Sequence, residues 1–449
     1  MISTVARTPC PGPEAVAASP SNIEIWGGLE CTIARVGDSF RDQLADTGHS
    51  ERPQDLDAIA ELGLRTLRYP VLWEQVAPHN PGCCNWAWHD ARLGHLARLG
   101  ITPIAGLVHH GSGPRYTNLL DPDFPQLLAN YAEAVARRYP GIDMFTPVNE
   151  PLTTARFSCL YGHWYPHRKD VGAFLRALVN ECYGTALAMR AIRRITPQAR
   201  LIQTEDLGKT YSTPLLRAQA QYNNDRRWLG LDLLCGRVDM HHPWFGCFVD
   251  AGVPRVVLDD LAKEPCPPDV IGLNYYLTTD RFLDQRRNRY PPALWGGNGR
   301  QAYADVEAVR VARRDIHIGV LPRLREVWKR YRRPVAVTEV HNGCSREEQL
   351  RWLFDVYRDA VELRDEGAEV RAVTIWALIG LVDWNSLLMR RNGHYESGAF
   401  HVRGGNGLRP TAIAKAIASL VSSGSYDHPV LDGPGWWHRD TRFFHKPRG

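Results

Sequence analysis

The sequence predicts an α/β protein built as a single eight-stranded parallel barrel, a (β/α)8 or TIM barrel. Eight short apolar segments occur along the chain, and they alternate with longer amphipathic segments. Each apolar segment is nearly continuous, as expected for strands that are buried on both faces. Strict alternation of eight such pairs favours a closed parallel barrel over an open sheet.

The elements follow in chain order. The predicted strands cover residues 23–29, 66–71, 102–108, 143–148, 200–204, 270–275, 334–338 and 373–378. The predicted helices cover residues 55–62, 89–99, 124–139, 171–195, 215–234, 321–331, 346–366 and 410–420, and several of them stop at a glycine or before a proline. The connections 239–269 and 278–318 are longer than ordinary and carry Trp, Pro and Gly. Long loops at a barrel mouth usually shape a pocket.

The ends of the chain differ in composition from the barrel. Residues 1–21 are rich in Pro, Ala and Ser, which predicts a disordered or loosely docked tail. Residues 22–427 are predicted to form the barrel, with no internal domain boundary. Residues 428–449 are too few to form a domain, and we expect them to be a C-terminal tail.

Composition excludes several functional classes. With 44% hydrophobic residues, 23% charged residues and a net charge of +5, the chain resembles an ordinary globular protein, and its scattered basic residues argue against a nucleic-acid groove. No apolar run approaches the roughly 18–20 residues that span a bilayer. The first residues lack the apolar core of a secretion signal, so we expect a cytoplasmic protein. Ten cysteines occur without C-x-x-C spacing, which predicts free thiols and no metal site.

Polar and aromatic side chains collect where the predicted strands end. In a barrel of this kind, chemistry takes place at the carboxyl ends of the strands. A full set of acids, amides, histidines and aromatics there favours a site for a ligand with many hydroxyl groups, such as a sugar. The residues are Glu30, Arg68, His109, His110, Asn149, Glu150, Glu205, Asn274, Tyr276, Glu339, Trp376, Asp383 and Trp384.

Two of these residues suggest a reaction. Glu150 ends the fourth predicted strand and Glu339 ends the seventh. A pair of carboxylic acids is what acid/base or nucleophilic chemistry at a sugar carbon requires. Retention of configuration would need the two carboxyl groups roughly 5 Å apart, whereas inversion would need roughly 6.5–9.5 Å.

Each residue taken alone has a structural interpretation as well. A strand-end glutamate can pair with a loop arginine instead of catalysing. His109 and His110 can be hydrogen-bonded core histidines, Trp376 and Trp384 can be packing residues, and Glu205 can cap the segment that follows it. The functional interpretation depends on the coincidence of two acids at two strand ends.

Several motifs then resemble a known family. Residues 146–151 read T-P-V-N-E-P and resemble the T-x-N-E-P signature of the family 1 glycoside hydrolases, the β-glucosidases and their relatives. Residues 337–343 read V-T-E-V-H-N-G and resemble that family's I/V-T-E-N-G. The motifs L-R-Y-P-V-L-W, G-L-V-H-H, V-I-G-L-N-Y-Y and I-W-A-L-I-G-L-V-D-W are similar to its second-, third-, sixth- and eighth-strand motifs, so the similarity covers most of residues 22–421.

The resemblance implies a (β/α)8 barrel that hydrolyses β-glycosides with retention and without a cofactor or metal. In that family's pattern, Glu150 would be the acid/base and Glu339 the nucleophile. Asn149 would hold the sugar 2-hydroxyl, and Arg68 and Tyr276 would orient and charge-balance Glu339. His109, Asn274, Trp376, Asp383 and Trp384 fall on sugar-site positions. The implied partner is a small saccharide or glycoside, and the oligomeric state is left open.

The sequence also departs from the family pattern. Val340 and His341 interrupt T-E-N-G, and W-G-G-L-E-C-T, which contains Glu30, replaces the first-strand glutamine motif. Asp383 stands where a glutamate is normal and His110 where a tryptophan is usual, so we do not assume glucose as the substrate. These motifs resemble a divergent bacterial branch that is often fused to a dTDP-4-dehydrorhamnose reductase-type domain, of which this sequence shows no sign.

Two other functions stay open at this point. One is an endo-acting or transglycosylating barrel enzyme of the same clan, which would share both glutamates. The other is a carbohydrate-binding protein that has lost catalysis.

Overall fold

A computed structural model describes residues 23–313, 315–402 and 407–445 of the chain. Eight parallel strands close into a barrel in chain order, and the first strand pairs with both the second and the eighth. This confirms the predicted fold class. The barrel strands are β1 (Glu24–Gly28), β2 (Thr66–Pro70), β3 (Thr102–His109), β4 (Met144–Asn149), β5 (Arg200–Glu205), β6 (Val270–Asn274), β7 (Val335–Val340) and β8 (Val370–Ile375).

Every predicted strand overlaps an observed one, but the eighth differs most in its limits. It begins at Val370, three residues before the predicted start, and ends at Ile375. Arg371 is exposed on this strand and interrupts the apolar run from which the start was predicted. Trp376 therefore lies just past the strand end, where the chain turns into the loop that follows.

The described residues contain eleven α-helices of six or more residues, which flank the barrel. They are α1 (Asp55–Ala60), α2 (Ala87–Arg98), α3 (Phe124–Arg138), α4 (Val171–Arg193), α5 (Arg217–Arg226), α6 (Leu229–Leu234), α7 (Phe245–Asp250), α8 (Arg255–Lys263), α9 (Val320–Tyr331), α10 (Arg346–Asp365) and α11 (Ala412–Ser423). Shorter helices begin some of the connecting loops. The helices cover the outside of the strands, so most apolar side chains are buried between these two layers.

Two predictions about the helices need correction. The segment 215–234 is not one helix, because α5 ends at Arg226 and α6 begins at Leu229. Arg227 lies between them with its guanidinium turned inward, where it donates to the Leu207 carbonyl and to Glu326. The connection 239–269, predicted as a long loop, contains α7 and α8, and the buried Leu258 and Leu261 of α8 recur at helical spacing.

Additional strands stand at the carboxyl ends of the barrel strands. The connection after β6 supplies most of a four-stranded sheet, made of Thr210–Ser212, Arg281–Asp284, Trp295–Gly297 and Ala302–Glu307. A hairpin of Ile33–Val36 and Ser39–Asp42 follows β1. A second hairpin, Leu381–Val382 with Tyr395–Glu396, follows β8. These loops surround the end of the barrel where the polar residues were predicted to collect.

The inside of the barrel is closed at the other end by apolar side chains. A separate cluster of buried residues, one from each strand except β2, fills the amino-terminal part of the interior. Its members are Trp26, Ile104, Met144, Ile202, Val270, Ala336 and Ala372. The barrel interior is therefore a packed, largely apolar core at its amino-terminal end.

The segments outside the barrel are described in part. The predicted N-terminal tail, residues 1–21, lies outside the described residues. The C-terminal segment packs on α10 through Trp437, whose indole donates to Asp355 at 2.8 Å, and through the backbone of Trp436, which donates to Glu348 at 2.9 Å. Among the described residues, the helices are too short or too polar to cross a bilayer.

We expect Gly28→Ala to disturb the barrel end. A Cβ atom at Gly28 would lie 2.5 Å from the Trp376 ring, so the indole would have to move. Overpacking of this kind costs about 1–3 kcal/mol of unfolding free energy, measurable by urea denaturation. Gly106→Ala on β3 is the matched control, because a Cβ atom there meets nothing within 4 Å. Equal stability of the two variants would contradict the tight packing of Trp376 on Gly28.

Candidate active site

Glu150 lies at the turn between β4 and a short helix, Pro151–Ala155. Its backbone has the left-handed conformation, with φ of +46°, and its amide donates to the Thr204 carbonyl at 3.2 Å. The side chain is buried, and the Asn274 amide nitrogen donates to its Oε1 at 2.5 Å. The turn therefore directs this carboxyl group over the end of the barrel towards β6.

Glu339 lies near the end of β7, beside Asn274 of β6 in the strand ladder. Arg68 Nη1 donates to its Oε1 at 3.0 Å, and the Tyr276 hydroxyl donates to its Oε2. The side chain is 3% exposed. This carboxyl group therefore has a cation and a phenol as partners, whereas Glu150 has an amide.

A hydrogen-bond network connects the two glutamates. Arg68 Nη2 donates to Asn149 Oδ1 at 2.7 Å, next to Glu150, while Nη1 also donates to the Thr338 carbonyl at 2.7 Å, next to Glu339. The Thr338 hydroxyl donates to Asn274 Oδ1 at 2.6 Å, which fixes the orientation of the amide that holds Glu150. β2, β4, β6 and β7 thus bring both acids to one place.

The surroundings of the two acids shift their pKa values to different extents. Burial raises the pKa of Glu150 well above its usual range, and the nearby charge of Glu339 raises it further. Burial also raises the pKa of Glu339, but Arg68 and the Tyr276 hydrogen bond oppose this shift. Both pKa values are therefore raised, but only Glu339 has partners that stabilise its carboxylate form by a positive charge and a phenol hydrogen bond.

His109 and His110 both contact the Asn149 amide. Asn149 Oδ1 accepts from Arg68 and from the Thr204 hydroxyl, so its Nδ2 faces the imidazole Nε2 atoms of His109 at 3.3 Å and His110 at 3.2 Å. These contacts assign Nε2 as the acceptor in both rings. Burial lowers the pKa of His110 to about 3 and that of His109 well below its usual range, so both rings are neutral.

Aromatic rings line the side of the site formed by β1, β3 and β8. His109 stacks on Trp376 with ring centroids 5.5 Å apart, and the Arg68 guanidinium lies over the same indole. Trp384 meets His110 edge to face at 5.6 Å. Flat apolar faces of this kind suit the apolar faces of a sugar ring.

Glu30 is a third buried acid beside the pair. It accepts from Trp376 Nε1 at 3.3 Å and from the Thr32 backbone amide at 3.0 Å. Burial raises the pKa of Glu30 to about 7; the bond from Thr32 opposes this, and the charge of Glu339 adds to it. Glu30 is connected to the site through Trp376, because the Arg68 guanidinium that holds Glu339 lies over the same indole.

The carboxylate oxygens of Glu205 and Asp383 accept hydrogen bonds from other groups of the protein. Glu205 accepts from the backbone amides of Leu152 at 3.0 Å and Asp206 at 3.3 Å, as expected of a cap for the helix that follows Glu150. Asp383 accepts from Arg41 Nη2 at 2.9 Å and from two backbone amides. These contacts favour a structural role for both carboxylates.

Several residues of the site were not predicted from the sequence. Thr204 and Thr338 orient the two asparagine side chains, and each is the last residue of a predicted strand. A polar residue at the end of a predicted barrel strand is a sequence feature by which both threonines could have been identified. His341 was noted as a departure from the family motif, and it contacts Glu396 at 3.0 Å. Arg41 follows no strand and matches no motif, so the sequence offered no reason to select it.

Comparisons with known proteins identify relatives over most of the chain. The family model "Glycosyl hydrolase family 1" matches residues 26–403. The curated relatives include a "Phospho-cellobiase" of Klebsiella oxytoca, 22% identical over 396 residues (81% of this chain, 82% of the relative), and a "6-phospho-beta-glucosidase" of Dickeya chrysanthemi, 22% identical over 389 residues (79% and 80%). Among solved structures, a family 1 β-glucosidase from Thermotoga maritima superimposes with a TM-score of 0.69 at 15% identity, covering 91% of this chain and 99% of that one.

The family match extends over most of the chain and includes every barrel strand except the first two residues of β1. The solved structure supports the fold alone. With strand order, barrel closure and family match in agreement, the chain is a glycoside hydrolase that belongs to glycosyl hydrolase family 1.

Proposed function

We propose that the protein is a retaining β-glycosidase that acts through Glu339 as nucleophile and Glu150 as acid/base, without a cofactor. The observation that carries the proposal is the difference between the partners of the two acids. Glu339 accepts from Arg68 and Tyr276, which stabilise a carboxylate, whereas the described contacts of Glu150 include no arginine or lysine within 4 Å. Identical side chains thus differ in how strongly their partners stabilise the ionised form, which is stabilised more at Glu339 than at Glu150.

In the first step, a Glu339 oxygen attacks the anomeric carbon as the glycosidic bond breaks. Glu150 donates its proton to the departing oxygen, so the aglycone leaves as an alcohol. The electron pair of the broken bond stays on that oxygen, and the sugar becomes an ester of Glu339. Arg68 and Tyr276 position the nucleophile and balance its charge before the attack.

In the second step, water attacks the anomeric carbon from the face that the aglycone left. Glu150, now ionised, takes the proton of that water, and the Glu339 ester bond breaks. The two inversions give net retention, and both glutamates return to their starting protonation states.

The remaining residues of the site are proposed to hold the sugar. Asn149 would bind the 2-hydroxyl next to the reacting carbon, with Asn274 and Tyr276 close to it. His109, His110 and Glu30 offer hydrogen-bonding groups, and Trp376 and Trp384 offer apolar faces. A ligand hydroxyl can replace the long contacts between Asn149 and the two imidazoles.

Glu150→Ala is expected to affect substrates unequally. Loss of a general acid costs about 10²–10⁴-fold when the leaving group needs protonation. We expect a loss near the upper end for an alkyl β-glycoside, but a small effect on bond cleavage for a dinitrophenyl glycoside, which leaves without a proton. The rates at which the wild type and the variant release the aglycone from each of the two substrates measure this difference. Equal losses on both would contradict the role of Glu150.

Two alternative functions make different predictions. An endo-acting or transglycosylating enzyme would use the same acids, but would prefer longer saccharides or would transfer the sugar to an added alcohol. A carbohydrate-binding protein without catalysis would bind glycosides and release no product. The intact partners of both glutamates favour an enzyme.

Product stereochemistry tests the proposal. A panel of nitrophenyl glycosides identifies the accepted sugar, and proton NMR then follows the first anomer formed, before mutarotation. We expect the β-anomer of the free sugar. An α-anomer from a β-glycoside would indicate inversion and would contradict the ester intermediate.

We further propose that residues 22–427 form the catalytic domain of a cytoplasmic protein in the divergent bacterial branch of the family. The nine cysteines described by the structure are free, as expected in a reducing compartment. The sequence segment W-G-G-L-E-C-T, which contains Glu30, supports the branch assignment.

A further inference from the structure

The loop that follows β8, residues 381–396, forms one wall of the site. We call it the eighth-strand loop. It carries Trp384, which meets His110, and His110 in turn contacts Asn149. Three residues of this loop, Asp383, Leu387 and Leu388, have positive φ angles of 50–62°. Such a backbone conformation is costly for residues other than glycine, so surrounding contacts must hold it.

Arg41 supplies a large part of those contacts. It lies in the hairpin after β1 and is 3% exposed. Its Nη1 donates to the carbonyls of Leu388 at 2.7 Å and Arg390 at 3.0 Å, and its Nη2 donates to Asp383 Oδ2 at 2.9 Å. One buried guanidinium thus holds three points of the eighth-strand loop.

A second residue, next to the hairpin, also binds the eighth-strand loop. Gln43 is fully buried, and its side-chain amide makes both possible hydrogen bonds to the backbone of Val382, donating to the carbonyl at 3.0 Å and accepting from the amide at 2.9 Å. The loop after β1 and the loop after β8 are therefore joined as one unit.

The Asp383 carboxylate is fully occupied within this unit. Its Oδ1 accepts from the His394 amide at 2.8 Å, and its Oδ2 accepts from the Asn392 amide at 3.1 Å as well as from Arg41. The side chain is about 2% exposed. A sugar hydroxyl would have to displace a buried, charge-assisted hydrogen bond in order to reach this carboxylate.

We infer that Arg41 is a positioning residue of the sugar pocket, which holds Asp383 as an internal anchor of the eighth-strand loop and thereby places Trp384 against His110. In this arrangement Asp383 does not bind the sugar itself. The inference rests on the proposed glycosidase function, since it assigns how one wall of that same site is built.

The contact between Arg41 and Asp383 predicts that the effects of substituting the two residues are not additive. Arg41→Ala leaves Asp383 buried without its cation, and Asp383→Asn removes the charge that Arg41 pairs with. Because both changes release the same loop, the double variant should be no worse than Arg41→Ala alone. If Asp383 bound the sugar directly, its effect would add to that of Arg41.

Steady-state kinetics on an accepted nitrophenyl glycoside provide the first test. We expect Arg41→Ala to raise KM about tenfold with kcat changed less than about threefold, because a misplaced wall weakens binding of substrate and transition state alike. Arg41→Lys should recover part of the affinity. The matched control is Arg390→Ala, because the Arg390 side chain is exposed in the same loop and the substitution keeps the backbone carbonyl that accepts from Arg41.

Hydrogen exchange provides the second test and does not depend on activity. The amides of Asn392 and His394, which donate to Asp383, should exchange faster in Arg41→Ala and Asp383→Asn than in the wild type or in Arg390→Ala. Unchanged exchange and an unchanged KM in Arg41→Ala would overturn the inference. A raised KM in Asp383→Asn alone, with Arg41→Ala unaffected, would overturn it as well.

The same experiments distinguish a failure of the proposed function from a failure of the inference about Arg41. If the wild type hydrolyses no glycoside of the panel, the proposed function fails, while the exchange data still report on the contact between Arg41 and the loop. If the wild type is active and Arg41→Ala behaves like Arg390→Ala, the function stands and the inference is wrong.

Discussion

Replacement of Glu339 by alanine should reduce kcat on an activated aryl glycoside by about 10⁴-fold or more, because no other group can form the ester intermediate. The fold should persist, since the change removes a buried carboxyl group whose pKa burial has already raised. Initial rates and a urea melt measure the two effects. Glu24→Ala is the control, since Glu24 is an exposed residue at the opposite end of a barrel strand.

A small anion provides a sharper version of this experiment. Alanine leaves room beside the anomeric carbon, so added azide should restore cleavage of a dinitrophenyl glycoside and give an α-glycosyl azide. Glu24→Ala should not respond to azide. Wild-type turnover by Glu339→Ala would show that Glu339 is not the nucleophile.

The second large effect is expected at Arg68. This side chain holds Glu339, Asn149 and the Thr338 carbonyl together, so Arg68→Met should lower kcat/KM by about 10³-fold, a value typical for the loss of one group that stabilises charge at the reacting centre. It should also cost about 3–5 kcal/mol of unfolding free energy if Glu339 stays ionised without its partner. Arg68→Lys should recover little, because a single ammonium group lacks the planar fork that reaches Glu339, Thr338 and Asn149 together.

The pH profile of the Arg68 variant gives a directional test. Arg68 lowers the pKa of Glu339 against the effect of burial, and the proposed mechanism requires ionised Glu339. Without Arg68 that pKa rises, so the acid limb of kcat/KM should move to higher pH. The basic limb, which reports the proton on Glu150, should move less. An acid limb that stays in place would contradict the assignment of the nucleophile.

The sequence was sufficient to predict the barrel and the two acids for identifiable reasons. Strands buried on both faces require continuous apolar runs, and Glu150 and Glu339 follow such runs directly. The start of β8 was missed because exposed Arg371 breaks the run, and α7 and α8 were missed because they are short and lie in a segment rich in turn residues.

Contacts between distant loops could not be predicted in the same way. The partner of Asp383 is Arg41, 342 positions away, in a hairpin that carries no motif. The resemblance placed Asp383 at a sugar-binding position, but only the fold shows which donors reach its carboxylate. Thr204 and Thr338 were predictable in part. Their positions on the strands could be predicted, but their asparagine partners could not.

Peptide mapping of a trapped intermediate tests the central claim most directly. A dinitrophenyl 2-deoxy-2-fluoro-β-glycoside of the accepted sugar should inactivate the enzyme with release of one equivalent of dinitrophenol. Mass spectrometry should then place the fluorosugar on the peptide that contains Glu339. A label on Glu150 or Glu30, or inactivation without any covalent label, would contradict the assignment of Glu339 as the nucleophile opposite Glu150.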